Sequence, residues 1–312
     1  VLTSAAVSVC AIGATFKPLG DENRAVENAV SSTTVEPSAS ASAAPVPSPA
    51  ESAEPGPDPA PERVGCSVDD PGAGPYRTVE LGIANARLHV PANVPDRFPL
   101  LLHFHGGEPV RRLLVSSELG LVFATVDAGV GSERYAATVT PKVPEQLLHA
   151  IEEKTGRTIG KLILSSWSAG YGALRSWLGI APDAAQALVF LDSIHTSYGP
   201  DGEVDRAGLT PFFAVAKRAA TGSPLVLVTH SAIVPPGYAS TTEVADALVA
   251  HVGGKRRYAG LEAQFGVLAK TRSDERSFHV RGTTGGDEAA HCAHLRMLPE
   301  LLKRDVLPYL AR

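Results

Sequence analysis

The stretch Lys161-Leu-Ile-Leu-Ser-Ser-Trp-Ser-Ala-Gly-Tyr-Gly-Ala173 decides how this chain is read. A short apolar run of strand character stops at Ser166-Trp-Ser168-Ala-Gly170, and helix-like sequence follows at once. A serine hydroxyl is a weak nucleophile until a base takes its proton, and a sharp strand-to-helix turn exposes its oxygen to one. Such a turn needs small residues two positions to either side of the serine. Gly170 meets that need downstream, whereas Ser166 stands upstream where glycine is usual, small but carrying a Cβ. The pattern S-x-S-x-G points to Ser168 as a nucleophile. Its competing reading is the N-cap of the next helix.

Upstream, Leu100-Leu-Leu-His103-Phe104-His105-Gly106-Gly107 reads as a buried strand running into a glycine turn. Glycines there let the backbone approach a substrate carbonyl, so the N–H of Gly106 or Gly107 is expected to join that of Ala169 in an oxyanion hole. Losing one such donor costs about 3 kcal/mol of transition-state stabilisation. A serine nucleophile needs a base, for which the late histidines are candidates. Residues 277–282 read as a last short strand, 283–290 as a polar glycine loop and 295–310 as a closing helix, with His291 and His294 where loop meets helix. His291 is favoured because it is nearer the loop, and His294 is the alternative. For the acid, the strand 187–191 runs directly into Asp192-Ser-Ile-His195, whereas the strand 224–229 ends in His230-Ser231 without a carboxylate. A carboxylate at Asp192 would fix the tautomer of the catalytic imidazole and stabilise the imidazolium. Asp127, after the strand 121–126, is the alternative acid, although a loop-ordering or binding role suits it better.

The elbow, the His-Gly-Gly turn and the late histidine, in this order along residues 65–312, resemble the α/β-hydrolases, near their secreted esterase branch of poly-hydroxyalkanoate depolymerase-like and feruloyl-esterase-like enzymes. The resemblance implies a mostly parallel central sheet with helices on both faces. It also implies a serine hydrolase cleaving an ester or related acyl bond through Ser168, His291 and Asp192, with no cofactor. Ser166 in place of glycine and the missing acid after the strand 224–229 depart from the family pattern.

Of the ten histidines, His103, His105, His195, His230, His291 and His294 fall at expected strand ends or in the last loop. In a parallel sheet those ends share one edge, where open α/β sheets bind ligands. His105, Trp167, Tyr135, His195 and His230 are therefore expected to bind substrate, together with the loops 127–135 and 234–238. Two other readings compete. In one, the chain is a non-catalytic hydrolase-fold binding protein of the cell envelope. In the other, His103-x-His105 opens a metal-dependent amidohydrolase-like site with Asp192, His195 and His230 as further ligands.

Residues 65–312 are long enough for one catalytic domain with a full core. Residues 17–64 are expected to form a disordered linker, since 31–63 are mostly Ser, Ala, Pro, Glu and Thr and cannot bury enough apolar surface to fold. Residues 1–16 are apolar like a signal-peptide core but lack a basic n-region. Export to the cell envelope or beyond is expected, with a lipid anchor at Cys10 and a membrane tether through the N-terminus as the alternative. A net charge of −5 without a basic patch argues against nucleic-acid binding. The expected partner is a small-molecule or polymer ester, and the chain is expected to act as a monomer. Cys66 and Cys292 are read as a disulfide or as two buried thiols. Short antiparallel strands are expected at 76–81 and 86–90, helices at 143–155 and 210–220, and a capping box at Ser240-Thr-Thr-Glu243 before a helix over 244–252.

Overall fold

A computed structural model describes residues 66–260, 263–264 and 267–312. The expectations for residues 1–16, for Cys10 and for the linker 17–64 lie outside them. The strands are β1 (Tyr76–Glu80), β2 (Ala86–Pro91), β3 (Arg97–Phe104), β4 (Val122–Val126), β5 (Thr158–Trp167), β6 (Ala187–Leu191), β7 (Leu225–His230), β8 (Arg257–Tyr258), β9 (Ala263–Gln264), β10 (Val267–Glu275) and β11 (Phe278–Thr283). They form one sheet in the order β1-β2-β4-β3-β5-β6-β7-β11-β10-β8, with β9 on β10. From β4 to β11 all neighbours are parallel, and the outer pairs β1-β2, β2-β4, β10-β11 and β8-β10 are antiparallel.

The central strands read as unbroken apolar runs because both faces of the sheet are covered. Along β3, Leu100, Leu102 and Phe104 enter one core and Leu101 the other; in β6, Leu188 and Phe190 alternate with Val189 and Leu191. The first core is closed by α2 (Ser132–Thr138), α3 (Val143–Thr155), α4 (Tyr171–Ile180), α5 (Thr210–Ala219) and α6 (Thr241–His251), through side chains such as Tyr135, Leu147, Trp177, Phe212 and Leu248. The second is closed by α1 (Gly107–Ser116), α7 (Glu288–Arg296) and α8 (Leu298–Leu301), through Val110, Leu114, Leu295 and Leu298. Burying each such side chain is worth about 1.5–3 kcal/mol. A π-helical turn, Leu302–Val306, joins α8 to α9 (Leu307–Leu310).

Two local expectations change. The last helix starts at Glu288 rather than near 295, because Asp287 caps it by accepting from Ala290 N at 2.8 Å. His291 therefore sits on the first turns of α7 and not in a loop. Strand β10 had no counterpart among the sequence expectations, since its residues are mostly polar; it pairs with β11 through the backbone ladder and through side chains, His279 Nδ1 lying 2.7 Å from Asp274 Oδ1. Helix α3 spans the expected residues, with Gly156 in the left-handed region at its end, and the β1-β2 ribbon is antiparallel as expected. Ser240 and Glu243 close the capping box at the start of α6.

Candidate active site

Three parallel strands end in non-glycine residues of left-handed backbone: His105 after β3 (φ 76°), Ser168 after β5 (φ 48°) and Asp192 after β6 (φ 43°). Each such residue costs on the order of 1–3 kcal/mol and persists only where its surroundings hold it. For Ser168 the hold is visible on both sides. A Cβ on Gly170 would fall on the Phe104 carbonyl, so only glycine lets the turn close against β3. Upstream, the Ser166 and Ser193 hydroxyls are 2.7 Å apart, and Ser193 donates to the Ser168 carbonyl at 3.0 Å. Ser193 has a single proton to give, so Ser166 donates to Ser193. The departure from glycine at position 166 thus adds a buried hydroxyl chain that ties the serine turn to the turn after β6. Ser168 opens a single 3-10 turn that continues into α4. With the sheet order above, this strand–serine–helix junction decides the fold. The fold is that of the α/β-hydrolases.

The late helix brings His291 to the same edge. Its Nδ1 donates to Asp192 Oδ2 at 2.7 Å, which leaves Nε2 as the nitrogen able to accept a proton. Asp192 is buried at 2 % exposure. Its Oδ1 accepts from Ser231 N at 2.9 Å and from the Thr241 hydroxyl at 2.5 Å. Burial opposes its ionisation, but the hydrogen bond from His291, the neighbouring imidazoles and the Ser231 N–H outweigh it and hold the carboxyl far below the ordinary carboxylate range. Thr241 is the first residue of α6, so Asp192 also sits at the positive end of that helix. Among the described residues no hydrogen bond joins the Ser168 hydroxyl to His291; such contacts are often loose without substrate.

The glycine turn after β3 differs from its expectation. Gly106 N donates to Asp127 Oδ1 at 3.0 Å and Gly107 N to Oδ2 at 2.9 Å, so the carboxylate after β4 takes both amides meant for an oxyanion. The N–H of His105 is also used, by Val126 O at 3.0 Å. Asp127 is therefore a clamp on this turn rather than a partner of His291, and Thr125 and Asp127 crowd Gly107 so closely that a side chain there has no room. Ala169 lies in the first turn after Ser168, where backbone N–H groups have no intrahelical acceptor.

The remaining histidines divide by burial. His103 donates from Nε2 to the His105 carbonyl at 2.7 Å and takes the Ser165 hydroxyl on Nδ1 at 3.0 Å. Burial pushes its pKa down to about 3. His294 is fully buried between the Thr229 and Thr283 hydroxyls, at 2.7 and 3.0 Å, and burial takes it to about 4, so it braces β7 against β11 and does not face the serine. His230 contacts Thr242 at 2.9 Å and the Arg256 guanidinium, in a separate cavity with Asp246 and Glu243; burial and that guanidinium lower it to about 3. His105 and Tyr135 bond each other at 2.8 Å, with the Tyr135 ring buried. The cleft that contains Ser168 holds about 550 Å³ and is lined by Val130–Glu133, Ala169, Tyr171, Arg175, His195 and Tyr238, among others. His195 thus reaches the cleft, while His105, Trp167, Tyr135 and His230 do not line it. Both loops expected at the pocket contribute, through residues 130–133 and Tyr238. The metal alternative is not assembled: among the described residues no group of three or more His, Cys, Asp or Glu side chains is placed to share an ion. His103 has both nitrogens engaged and His230 faces another cavity. Sequence reasoning missed Thr241, Ser231 and Ser193. Only the Thr241 position carried a signal, as the residue after a capping serine.

No protein-family model matches the chain, and no curated protein matches it. Solved structures do. An acetyl xylan esterase from Aspergillus awamori aligns at 12 % identity over 68 % of this chain and 93 % of its own, with a TM-score of 0.42. An S-formylglutathione hydrolase from Agrobacterium tumefaciens aligns at 13 % identity over 73 % of this chain and 92 % of its own, with a TM-score of 0.46. A poly(3-hydroxybutyrate) depolymerase from Bordetella parapertussis aligns at 13 % identity over 72 % of this chain and 87 % of its own, also at 0.46.

Proposed function

We propose that this protein is a serine hydrolase cleaving carboxylic esters, with Ser168 as nucleophile, His291 as general base and Asp192 as the group that orients it. The single observation carrying this reading is the 2.7 Å contact between His291 Nδ1 and buried Asp192, made beside a serine on a strained strand-to-helix turn. His291 Nε2 takes the Ser168 proton as Oγ attacks the ester carbonyl. Asp192 keeps the Nδ1 proton hydrogen-bonded and balances the imidazolium charge. The Ala169 N–H offers a donor to the oxyanion. As the tetrahedral intermediate collapses, the imidazolium gives its proton to the leaving alcohol, and a water activated by the same imidazole releases the acid from the acyl-serine. The open, mixed polar and aromatic cleft suits a small ester or the exposed end of a polymer.

The disulfide between Cys66 and Cys292 supports export, because such bonds persist in oxidising compartments. A cell-envelope or secreted location, with a tether through the N-terminus, is part of this proposal. No described helix is long and apolar enough to cross a membrane.

The test is labelling with a fluorophosphonate together with turnover of a short-chain p-nitrophenyl ester. Ser168→Ala is expected to abolish labelling and to lower kcat by at least about four orders of magnitude, with an unchanged thermal melt. A wild-type protein that neither labels nor turns over any ester would favour a binding protein instead.

A further inference from the structure

Trp167 precedes the nucleophile and is not part of the cleft. Its indole stacks with two imidazoles, that of His291 at 4.6 Å between centroids and 29°, and that of His105 at 5.0 Å and 13°. The indole Nε1 donates to the His291 backbone carbonyl at 3.1 Å. His105 is fixed as well, since its Nδ1 bonds the buried Tyr135 hydroxyl at 2.8 Å. Space for the indole is reserved by the turn after β3. A Cβ on Gly106 would lie 3.0 Å from Trp167 Cε3 and 3.5 Å from Leu295.

We propose that Trp167 is a positioning residue for the base: its ring face sets the plane of the His291 imidazole and its N–H anchors the backbone of α7 to the serine turn. This rests on the reading of His291 as the base. Ser168 and Trp167 are consecutive, so the side chain that orients the base moves with the nucleophile it must reach. Asp192 holds His291 by one edge only, through Nδ1, and an imidazole held at one nitrogen can still rotate about that bond. Stacking removes that rotation. The indole can also attract the imidazolium formed during turnover, as aromatic faces attract cations. The charged or titratable groups near His291 are Asp192 and His195 after β6, His105, which stacks on the same indole, and His294 on its own helix.

Steady-state kinetics on the p-nitrophenyl ester test this. Trp167→Leu is expected to lower kcat by about 10- to 100-fold with little change in KM, as expected for a misaligned base. Trp167→Phe retains a ring face and is expected to recover most of that loss. Wild-type kcat in a folded Trp167→Leu variant, or a Trp167→Phe variant no more active than Trp167→Leu, overturns the inference. Neither result touches the hydrolase reading, which fails separately if Ser168→Ala and His291→Gln retain full turnover.

Discussion

At the scale of single residues, the site is organised by hydroxyls more than by charges. Among the described residues Asp192 is the one buried carboxylate, and the Thr241 hydroxyl at 2.5 Å with the Ser231 N–H occupies the oxygen that His291 leaves open. A hydrogen bond to a charged group contributes about 1.5–3 kcal/mol. Its role here is to keep the carboxylate turned toward Nδ1 and ionised. Thr241→Val preserves shape and removes only the donor, so kcat on the p-nitrophenyl ester should fall about three- to thirtyfold with KM unchanged. Unaltered kcat would mean that the Ser231 N–H alone suffices. Gly170 illustrates the opposite kind of constraint, in which the absence of a side chain is what matters, because the Phe104 carbonyl occupies the place of a Cβ.

At the scale of elements, the placement of His291 depends on how α7 is fastened. Cys292 follows His291 directly and is joined to Cys66, and the segment carrying Cys66 is held in turn by Arg296 to Ser67 O at 3.2 Å, Arg112 to Val68 O at 2.8 Å and Arg111 to Gly72 O at 2.8 Å. The start of α7 is thus pinned by the disulfide on one side and by Trp167 on the other. Replacing both cysteines with serine should lower unfolding free energy by about 2–5 kcal/mol in urea titrations. It should also speed hydrogen exchange in the first turns of α7 ahead of the rest of the sheet. Equal exchange in both proteins would remove the disulfide from any part in placing His291.

At the scale of the whole molecule, the fold buries His89, His103, His230 and His294 at 4 % exposure or less. Their pKa values fall from 6.5 to about 4, 3, 3 and 4, with burial the largest cause in each. A lowered folded pKa means that the unfolded chain binds more protons, so stability rises with pH through this range. The contribution is fully present above about pH 6.5 and is lost as pH falls toward about 3–4. Each buried imidazole adds a slope of up to about 1.4 kcal/mol per pH unit. Asp192 works in the same direction at lower pH, its contribution being present above the ordinary carboxylate range and lost in stronger acid. Urea unfolding at about pH 7, 6 and 5 should show a steady fall in stability, whereas a flat profile would contradict the burial of these rings.

By itself the sequence determined the fold class, the serine turn and the order along the chain of Ser168, Asp192 and His291. Those features are local: an apolar run ending in small residues, a carboxylate at a strand end, a histidine near the last helix. Helix α3 and the capping box of α6 were legible for the same reason, since their signals lie within a few residues of the structure they specify. What only the tertiary structure decided is which polar group meets which across the strand ends. His291 and His294 are three apart and equally polar in sequence, yet one reaches Asp192 and the other is sealed between Thr229 and Thr283. Gly106 and Gly107 look like free amides until β4 delivers Asp127 beneath them. Hydrogen bonds between side chains from different strands depend on register and burial. Neither is written in the spacing of residues along one segment.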